Sequence, residues 1–248
     1  VVIPDSVTAI GFSAFYYCTR LTSVVIGDSV TAIGDGAFRD CDSLTSIIVS
    51  EGNTAYQSID GNLYTKNGKA LVQYAIGKKS ASFTVAANVT DIHRYALTAC
   101  LHLTSIAVES GNSAYTSFEG NLYTKDKQTL VQYAAGKKSA SFSIPSGVKT
   151  VGDGAFAGCL SLTSVTISDS VTSIESGAFL ACPLLSITIP DGVVSIGEKA
   201  FYSCSLDYVI IAESVSSIGE SAFEECTSLA SVTLKNGVTF IDKRAFLN

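Results

Sequence analysis

The sequence predicts an α/β repeat solenoid of about ten coils, in which parallel strands alternate with short helical turns. The first observation behind this prediction is spacing: the gaps between successive cysteines are 23, 59, 59, 23, 22 and 22 residues, and a unit of about 23 residues recurs around them. The second is composition, because 47% apolar and 15% charged residues exclude intrinsic disorder. One such unit cannot bury its apolar face alone, so neighbouring units must stack into a continuous core.

The unit opens with a strand. Within residues 21–26, Leu21, Val24 and Ile26 are expected to point inward, and from Val24 on the period of two is that of a strand. A Pro or Gly followed by Asp or Ser then turns the chain. A second short strand follows, anchored in the second unit by Val30 and Ile33.

The last part of the unit runs through an Ala-Phe pair to the cysteine and is too short for a full helix, so it predicts one or two helical turns. Its phenylalanines are expected to stack as an aromatic spine, with Leu97 as the one substitution. The seven cysteines are expected to be reduced, buried and free of metal. Stacked equivalents would lie about 4.8 Å apart, slightly beyond the Cβ separation of a disulfide.

Two units, 49–84 and 108–143, are longer, at 36 residues each. Their residues 63–74 in the first copy form a hairpin pattern around an Asn67-Gly68 turn. The predicted organisation is therefore a single solenoid domain over 1–248 with hairpin-like insertions in two coils. No signal peptide opens the chain, so we expect a segment of a longer protein whose export signal or anchor lies outside it.

The repeat I-P-x-x-V-x-x-I-G-x-x-A-F-x-x-C-x-x-L-x-S-V, with its L-x-x-V-x-I strand, resembles the BspA-type leucine-rich repeat over essentially the whole chain. The resemblance implies a leucine-rich-repeat-like fold. It also implies a surface or secreted protein of anaerobic bacteria or of some protist parasites, a family whose better-known members bind host proteins and other cells.

The residues themselves offer no catalytic set. No P-loop, G-x-S-x-G or H-E-x-x-H motif is present, which argues against an enzyme, and no cofactor or metal is expected. His93 and His102 flank Cys100, but both fall at repeat positions that carry variable polar residues, so we expect them at the surface. The net charge of −6 argues against nucleic-acid binding. No apolar run exceeds five residues, so no membrane-spanning helix is expected.

Two surfaces are candidates for contact with a partner. The outward column of the first strands is small and nearly uniform, and Tyr208 is its only aromatic residue. The two long units hold eight of the sixteen basic residues and six of the eleven tyrosines, and they total +3 while the rest of the chain totals −9. Their candidate binding residues are Lys66, Lys69, Lys78, Lys79, Lys125, Lys127, Lys137, Lys138, Tyr64, Tyr74, Tyr123 and Tyr133.

Two interpretations of these long units remain open. The tyrosines could pack a broadened core while the lysines keep exposed edges soluble, or both could bind a partner. In the second case the two copies would lie in register, two coils and about 10 Å apart. They would suit a protein or an acidic glycan on host or neighbouring cells. The sequence thus predicts a monomeric, non-enzymatic binding or adhesion module of a cell-surface or secreted protein, with a structural spacer as the alternative.

Overall fold

The chain winds into ten coils that stack in chain order, and the computed structural model describes all residues, 1–248. Coils 1 to 10 cover residues 3–25, 26–48, 49–84, 85–107, 108–143, 144–166, 167–188, 189–210, 211–233 and 234–248. An ordinary coil has three sides: a first strand, a second strand and a run of tight turns. The predicted parallel-stranded solenoid with two enlarged coils is therefore confirmed.

The first side is formed by the L-x-x-V-x-I strands, which pair in parallel one repeat apart, as Val24 with Ile47. Their apolar residues alternate inward, as in Val24 and Ile26, which are fully buried. With strands numbered β1 to β24 in chain order, this side holds β1 (Val2–Ile3), β3 (Ser23–Ile26), β5 (Ser46–Val49), β9 (Ser82–Val85), β11 (Ser105–Val108), β15 (Ser141–Ser143), β17 (Ser164–Thr166), β19 (Ser186–Ile189), β21 (Tyr208–Ile211) and β23 (Ser231–Leu234).

The second side is formed by two-residue strands, whose inward residue is mostly Ile. They are β2 (Ala9–Ile10), β4 (Ala32–Ile33), β10 (Asp91–Ile92), β16 (Thr150–Val151), β18 (Ser173–Ile174), β20 (Ser195–Ile196), β22 (Ser217–Ile218) and β24 (Phe240–Ile241). From β16 to β24 these strands form one parallel ladder.

The third side contains no helix, so the predicted helical turns are wrong, and no helix capable of crossing a membrane is present. In the turns of coils 1, 2, 4 and 6 to 9, two residues four apart have positive φ, as Gly36 (φ 61°) and Asp40 (φ 57°) do. A left-handed residue every four positions interrupts a right-handed helix. The backbone instead bonds to the next coil at alternate residues, as from the Phe15 N–H to the Ala37 carbonyl (2.8 Å).

The long coils replace the second strand with a three-stranded antiparallel meander, which confirms the predicted hairpin pattern. The strands are β6 (Tyr56–Ile59), β7 (Asn62–Thr65) and β8 (Ala70–Gln73) in coil 3, and β12 (Tyr115–Phe118), β13 (Asn121–Thr124) and β14 (Thr129–Gln132) in coil 5. The last strand of each meander pairs in parallel with the next ordinary coil, β8 with β10 and β14 with β16.

The aromatic spine forms in two stretches. From Phe156 to Phe246 the rings stack at 4.8–5.1 Å with interplanar angles of 1–8°, and Phe15 stacks on Phe38 at 5.2 Å. In the long coils Tyr74 and Tyr133 take the phenylalanine position, because their N–H groups bond to the carbonyls of Ala96 and Ala155 just as that of Phe15 bonds to Ala37. Leu97 is therefore not the only substitution in this column.

Candidate functional site

The solenoid bends toward its third side, and the two long coils cause the bend. Ordinary neighbours share three backbone hydrogen bonds on this side, whereas each long coil makes one to the following coil, from the N–H of Tyr74 or Tyr133. Each also makes one to the preceding coil, from the N–H of Gly77 or Gly136. The long coils are thus wide where the meanders are inserted and narrow at the turns. The turns of coils 4 and 6 consequently meet directly: the Ala99 N–H donates to the Ala157 carbonyl (3.3 Å) across coil 5.

Three consecutive residues of coil 4, His93-Arg94-Tyr95, fill the inside of this bend. The ring of Tyr95 lies against Gly154 of coil 6 and Gly36 of coil 2, where added Cβ atoms would stand 3.2 and 3.3 Å from it. Tyr95 itself has φ 68°, a left-handed conformation that is strained for a bulky residue. At the equivalent position Gly36 and Gly154 adopt this conformation without strain, so packing between the two arms holds Tyr95 there.

Two guanidinium groups stack on Tyr95. Arg39 of coil 2 lies with Cζ 4.7 Å from the centre of the Tyr95 ring and 5.3 Å from that of Tyr16, and Arg94 lies 4.8 Å from Tyr95. Arg94 also pairs with Asp153 of coil 6 (3.3 Å) and donates to the Ser176 hydroxyl of coil 7. Burial raises the pKa of Asp153, and the Arg94 charge opposes that rise.

The bend brings the two ends of the solenoid to one cleft of about 510 Å³. One wall comes from coils 1, 2 and 4 and carries Phe12, Tyr16 and the Arg39–Tyr95–Arg94 stack. The facing wall comes from coils 7 to 10 and carries Leu180, Glu198, Lys199, Tyr202, Glu220, Ser221, Glu224 and Arg244. Tyr16 is 49% exposed and Phe12 68%, so aromatic surface is accessible in this cleft. We call this the concave cleft.

Charges on the facing wall are largely paired with one another. Lys199 pairs with Glu198 (3.1 Å) and Lys243 with Glu220 (3.2 Å). The pKa of Tyr202 is raised by partial burial and then by the nearby carboxylates Glu225 and Glu224. The cleft therefore combines accessible tyrosines and arginines with locally balanced charge, the residue types that dominate binding energy at protein interfaces.

The lysines predicted to bind a partner divide into two groups. Lys66, Lys69, Lys79, Lys125, Lys127 and Lys138 are exposed. Lys78 and Lys137 instead donate to the backbone carbonyls of Asp60 and Glu119, and lie 5.5 and 5.1 Å from the ring centres of Tyr74 and Tyr133. Partial burial lowers the pKa of both lysines. These two ammonium groups thus bind the tips of their own meanders.

The four candidate tyrosines of the long coils are buried, at 1–5% exposure for Tyr64, Tyr74, Tyr123 and Tyr133. Burial raises the pKa of Tyr64, Tyr74 and Tyr123 to about 12 and also raises that of Tyr133. The structure therefore places these side chains in the core of the long coils, and only the lysines of this candidate set reach the surface. Tyr208, by contrast, is 47% exposed on β21.

The cysteines are free, and six of the seven are buried. Cys18 of coil 1 is exposed, so the prediction of seven buried thiols is wrong at this position. Each of four buried thiols donates to the phenylalanine carbonyl of the preceding coil, as Cys182 does to Phe156 (2.9 Å). Burial raises the pKa of Cys41 and Cys226 to about 11, which makes these thiols poor nucleophiles.

Sequence reasoning missed the concave cleft because it compared repeats only along the strands. A signal was present at the turn positions, where coil 4 carries His93-Arg94-Tyr95 in place of the Gly-Asp-Gly at 34–36 and 152–154. His93 was expected at the surface, yet its side chain is only 26% exposed and lies between Asp35 and Asp91. No group of three or more His, Cys, Asp and Glu residues could hold a metal ion.

Comparisons with known proteins agree with this fold. A family model described as BspA type Leucine rich repeat region matches residues 1–113 and 132–248, with six copies. A leucine-rich repeat protein from Eubacterium ventriosum is similar at 25% identity and a TM-score of 0.62, over 99% of this chain and 82% of that one. A leucine rich cell surface protein from Faecalibacterium prausnitzii is 30% identical with a TM-score of 0.53, over 94% and 78%. The pneumococcal vaccine antigen PcpA shares the fold at 18% identity and a TM-score of 0.51, over 98% and 74%. No curated protein matches the chain.

Proposed function

We propose that this chain, which belongs to the BspA-type leucine-rich repeat family, is a non-enzymatic protein-binding module of a bacterial cell-surface or secreted protein. The comparisons indicate no catalytic family. In this proposal the module contributes to adhesion by contacting a protein on host or neighbouring cells.

The observation that carries the proposal is the concave cleft. Its first wall exposes Phe12 and Tyr16 beside the Arg39–Tyr95–Arg94 stack, and Tyr202 faces them from coil 8. Tyrosine and arginine in a partly desolvated recess are the side chains from which interface hot spots are built. The uniform strand face offers one comparable side chain, Tyr208.

The exposed lysines of the long coils support a second contact surface for the same function. Lys66, Lys69, Lys125 and Lys127 lie in and beside the turns that join the last two strands of the two meanders. We propose that this surface attracts an acidic protein segment or glycan, an attraction that salt would screen with a Debye length of about 8 Å.

The test compares three variants in one adhesion assay, in which beads coated with the protein bind extracellular-matrix proteins or cultured cells. Tyr16→Ala with Tyr202→Ala removes one tyrosine from each wall of the cleft and should reduce adhesion at least about tenfold, since hot-spot truncation costs about 2 kcal/mol or more. Tyr208→Ser is the matched control from the strand face and should leave adhesion unchanged.

The third variant replaces Lys66, Lys69, Lys125 and Lys127 by Ser. It should weaken adhesion moderately and flatten its dependence on salt. Adhesion that survives the cleft pair but is lost with Tyr208→Ser contradicts the proposed site. A protein that adheres to no target in any form fits the spacer role instead.

A further inference from the structure

We infer that strands β9 and β15 are open sheet edges, and that each binds an extended acidic peptide segment of a partner as an added β-strand. Both edges belong to the first side of the solenoid, whereas the concave cleft is lined by the turns of the third side. This binding mode is therefore independent of the proposed contact in the cleft. In β-strand addition, main-chain hydrogen bonds give affinity and pockets for alternate side chains give specificity.

The sheet of the first side is interrupted at each long coil. β5 pairs with β3 and β9 pairs with β11, but β5 and β9 do not pair with each other. No Cα atom of β5 lies within 8 Å of β9, whereas paired strands lie about 4.8 Å apart. β11 and β15 are separated in the same way. The break between β17 and β19 is different, because the Leu185 N–H still donates to the Thr163 carbonyl there (3.2 Å).

The chain itself covers one border of each gap. The tip of the meander in coil 3 lies beside β5, where the Ile47 N–H donates to the Gly61 carbonyl (2.8 Å) and the Ser58 hydroxyl donates to the Ile47 carbonyl (2.6 Å). In coil 5 the Ile106 N–H donates in the same way to the Gly120 carbonyl (2.8 Å). Backbone of the same chain therefore already occupies part of the borders formed by β5 and β11.

The opposite borders, β9 and β15, have no such cover. In ordinary coils the outward residues of the first strand bond to the preceding coil, as Val25 does through its N–H (2.9 Å). The equivalent residues bond to no preceding coil in β9, at Ser82 and Thr84, or in β15, at Ser141 and Ser143. All four residues are exposed. Each edge therefore presents unpaired N–H and carbonyl groups at every second residue, which is the pattern that an added strand requires.

An apolar side chain is partly uncovered beside each edge. The inward residues of β9 and β15 are Phe83 and Phe142, and both are partly exposed. At the same repeat position Ile47 and Ile106 are 0% and 1% exposed. A strand added at this edge would cover the phenylalanine ring, so an apolar residue of the partner fits at the inward position opposite it.

The charge at the start of both edges is positive. The sequence Gly-Lys-Lys-Ser-Ala-Ser-Phe leads into each strand, at 77–83 and at 136–142. The first lysine of each pair is affected by one carboxylate of the meander tip. The second, Lys79 or Lys138, is exposed and forms no ion pair. Positive charge thus remains in excess at these edges, although the whole chain carries −6, and an acidic residue beside the lysines complements it.

The experiment measures the binding of synthetic peptides by fluorescence anisotropy. Two fluorescein-labelled peptides alternate valine and threonine; one carries two glutamates at its amino end, for parallel addition, and the other carries them at its carboxyl end, for antiparallel addition. At least one should bind, and salt should weaken the binding. In that peptide, methylation of every second backbone nitrogen is tested in both possible sets. One set should weaken binding at least about tenfold, because it removes the main-chain hydrogen bonds and leaves the charge unchanged.

A change in the protein tests the same bonds from the other side. Thr84→Pro with Ser143→Pro removes the open N–H groups but keeps the ladders to β11 and β17, since proline is tolerated at an edge whose N–H faces solvent. The chain already carries Pro145 at the next outward position after Ser143. This variant should bind at least about tenfold more weakly. Thr84→Ala with Ser143→Ala keeps the N–H groups and is the matched control, which should bind as the unchanged protein does.

The lysines are tested separately. Lys79→Ser with Lys138→Ser should weaken binding about two- to fivefold and flatten its salt dependence, the range expected of exposed charges. Lys149→Ser with Lys235→Ser removes two exposed lysines elsewhere and should change nothing. Three results would overturn the inference: neither peptide binds, the methylated peptides bind as well as the parent, or the free protein is a dimer that the proline variant makes monomeric. In the last case the edges pair with a second copy of the chain.

Discussion

Gly77 offers a direct test of how the long coils return to the stack. It lies where coil 3 leaves its meander and rejoins coil 2, and its N–H donates to the Leu44 carbonyl (2.8 Å). A Cβ added here would stand 2.5 Å from the carbonyl carbon of Ser43 and 2.7 Å from the amide nitrogen of Leu44. Both are backbone atoms, so no side-chain rotation can relieve the overlap in Gly77→Ala.

The size of the effect follows from that geometry. Ordinary van der Waals contact begins at 3.4 Å, so the two coils must separate by most of an ångström. That separation weakens the hydrogen bond to Leu44, worth about 0.5–1.5 kcal/mol, and disturbs the fully buried packing of Leu44. With the usual cost of overpacking, about 1–3 kcal/mol, Gly77→Ala should lower the free energy of unfolding by about 2–4 kcal/mol.

Chemical denaturation followed by circular dichroism measures this change. Gly136→Ala repeats the test in coil 5, where the added Cβ would stand 2.7 Å from the Leu103 carbonyl oxygen. Gly11→Ala is the control, because nothing lies within 4 Å of its Cβ and its φ is ordinary. The reasoning is refuted if Gly77→Ala unfolds at the same denaturant concentration as Gly11→Ala.

Three further outcomes follow from the core. In the native protein a thiol reagent should modify Cys18 alone, and denaturant should expose the remaining thiols; mass spectrometry that finds a disulfide contradicts this. The Phe179 ring is stacked on both faces, so Phe179→Ala should lower the free energy of unfolding by about 3–5 kcal/mol. Phe15→Ala should lower it by less, because the Phe15 ring is stacked on one face, and denaturant unfolding compares the two. Burial raises the pKa of Tyr64 and Tyr123 from 10.0 to about 12, so their contribution to the free energy of unfolding should be fully present below pH 10 and be lost as the pH rises toward 12. Phenolate absorbance measures the ionisation, and ionisation of these tyrosines near pH 10 while the fold persists would contradict the prediction.

The period of the sequence was sufficient to predict the strands. Apolar residues alternate in Ser23–Ile26, and Val30 and Ile33 follow at a fixed spacing, because these side chains point into the core. The same pattern of buried residues recurs in the next unit, so the sequence of one unit is enough to locate the strands. The turns were mispredicted as helical because the left-handed residues that break the helix include Asp40 and Ser203 as well as glycines, and composition does not reveal φ.

The concave cleft could not be derived from any one repeat. It exists because two wide coils tilt their neighbours, so that Tyr16 of coil 1 and Tyr202 of coil 8 line one recess although 186 positions separate them. The burial of the long-coil tyrosines was an open alternative from sequence. The structure decides it: Tyr64 and Tyr123 lie on the middle strands of the two meanders, β7 and β13, and are buried there.

Site-specific photo-crosslinking tests the central claim, that a protein partner is bound in the concave cleft. A photoreactive phenylalanine derivative replaces Tyr202 in one protein and Tyr208 in another, two positions in the same coil that face the cleft and the strand face. On irradiation with the cells or matrix to which the protein adheres, we expect a specific covalent adduct from position 202 and none from position 208. An adduct formed only from position 208 would contradict the account.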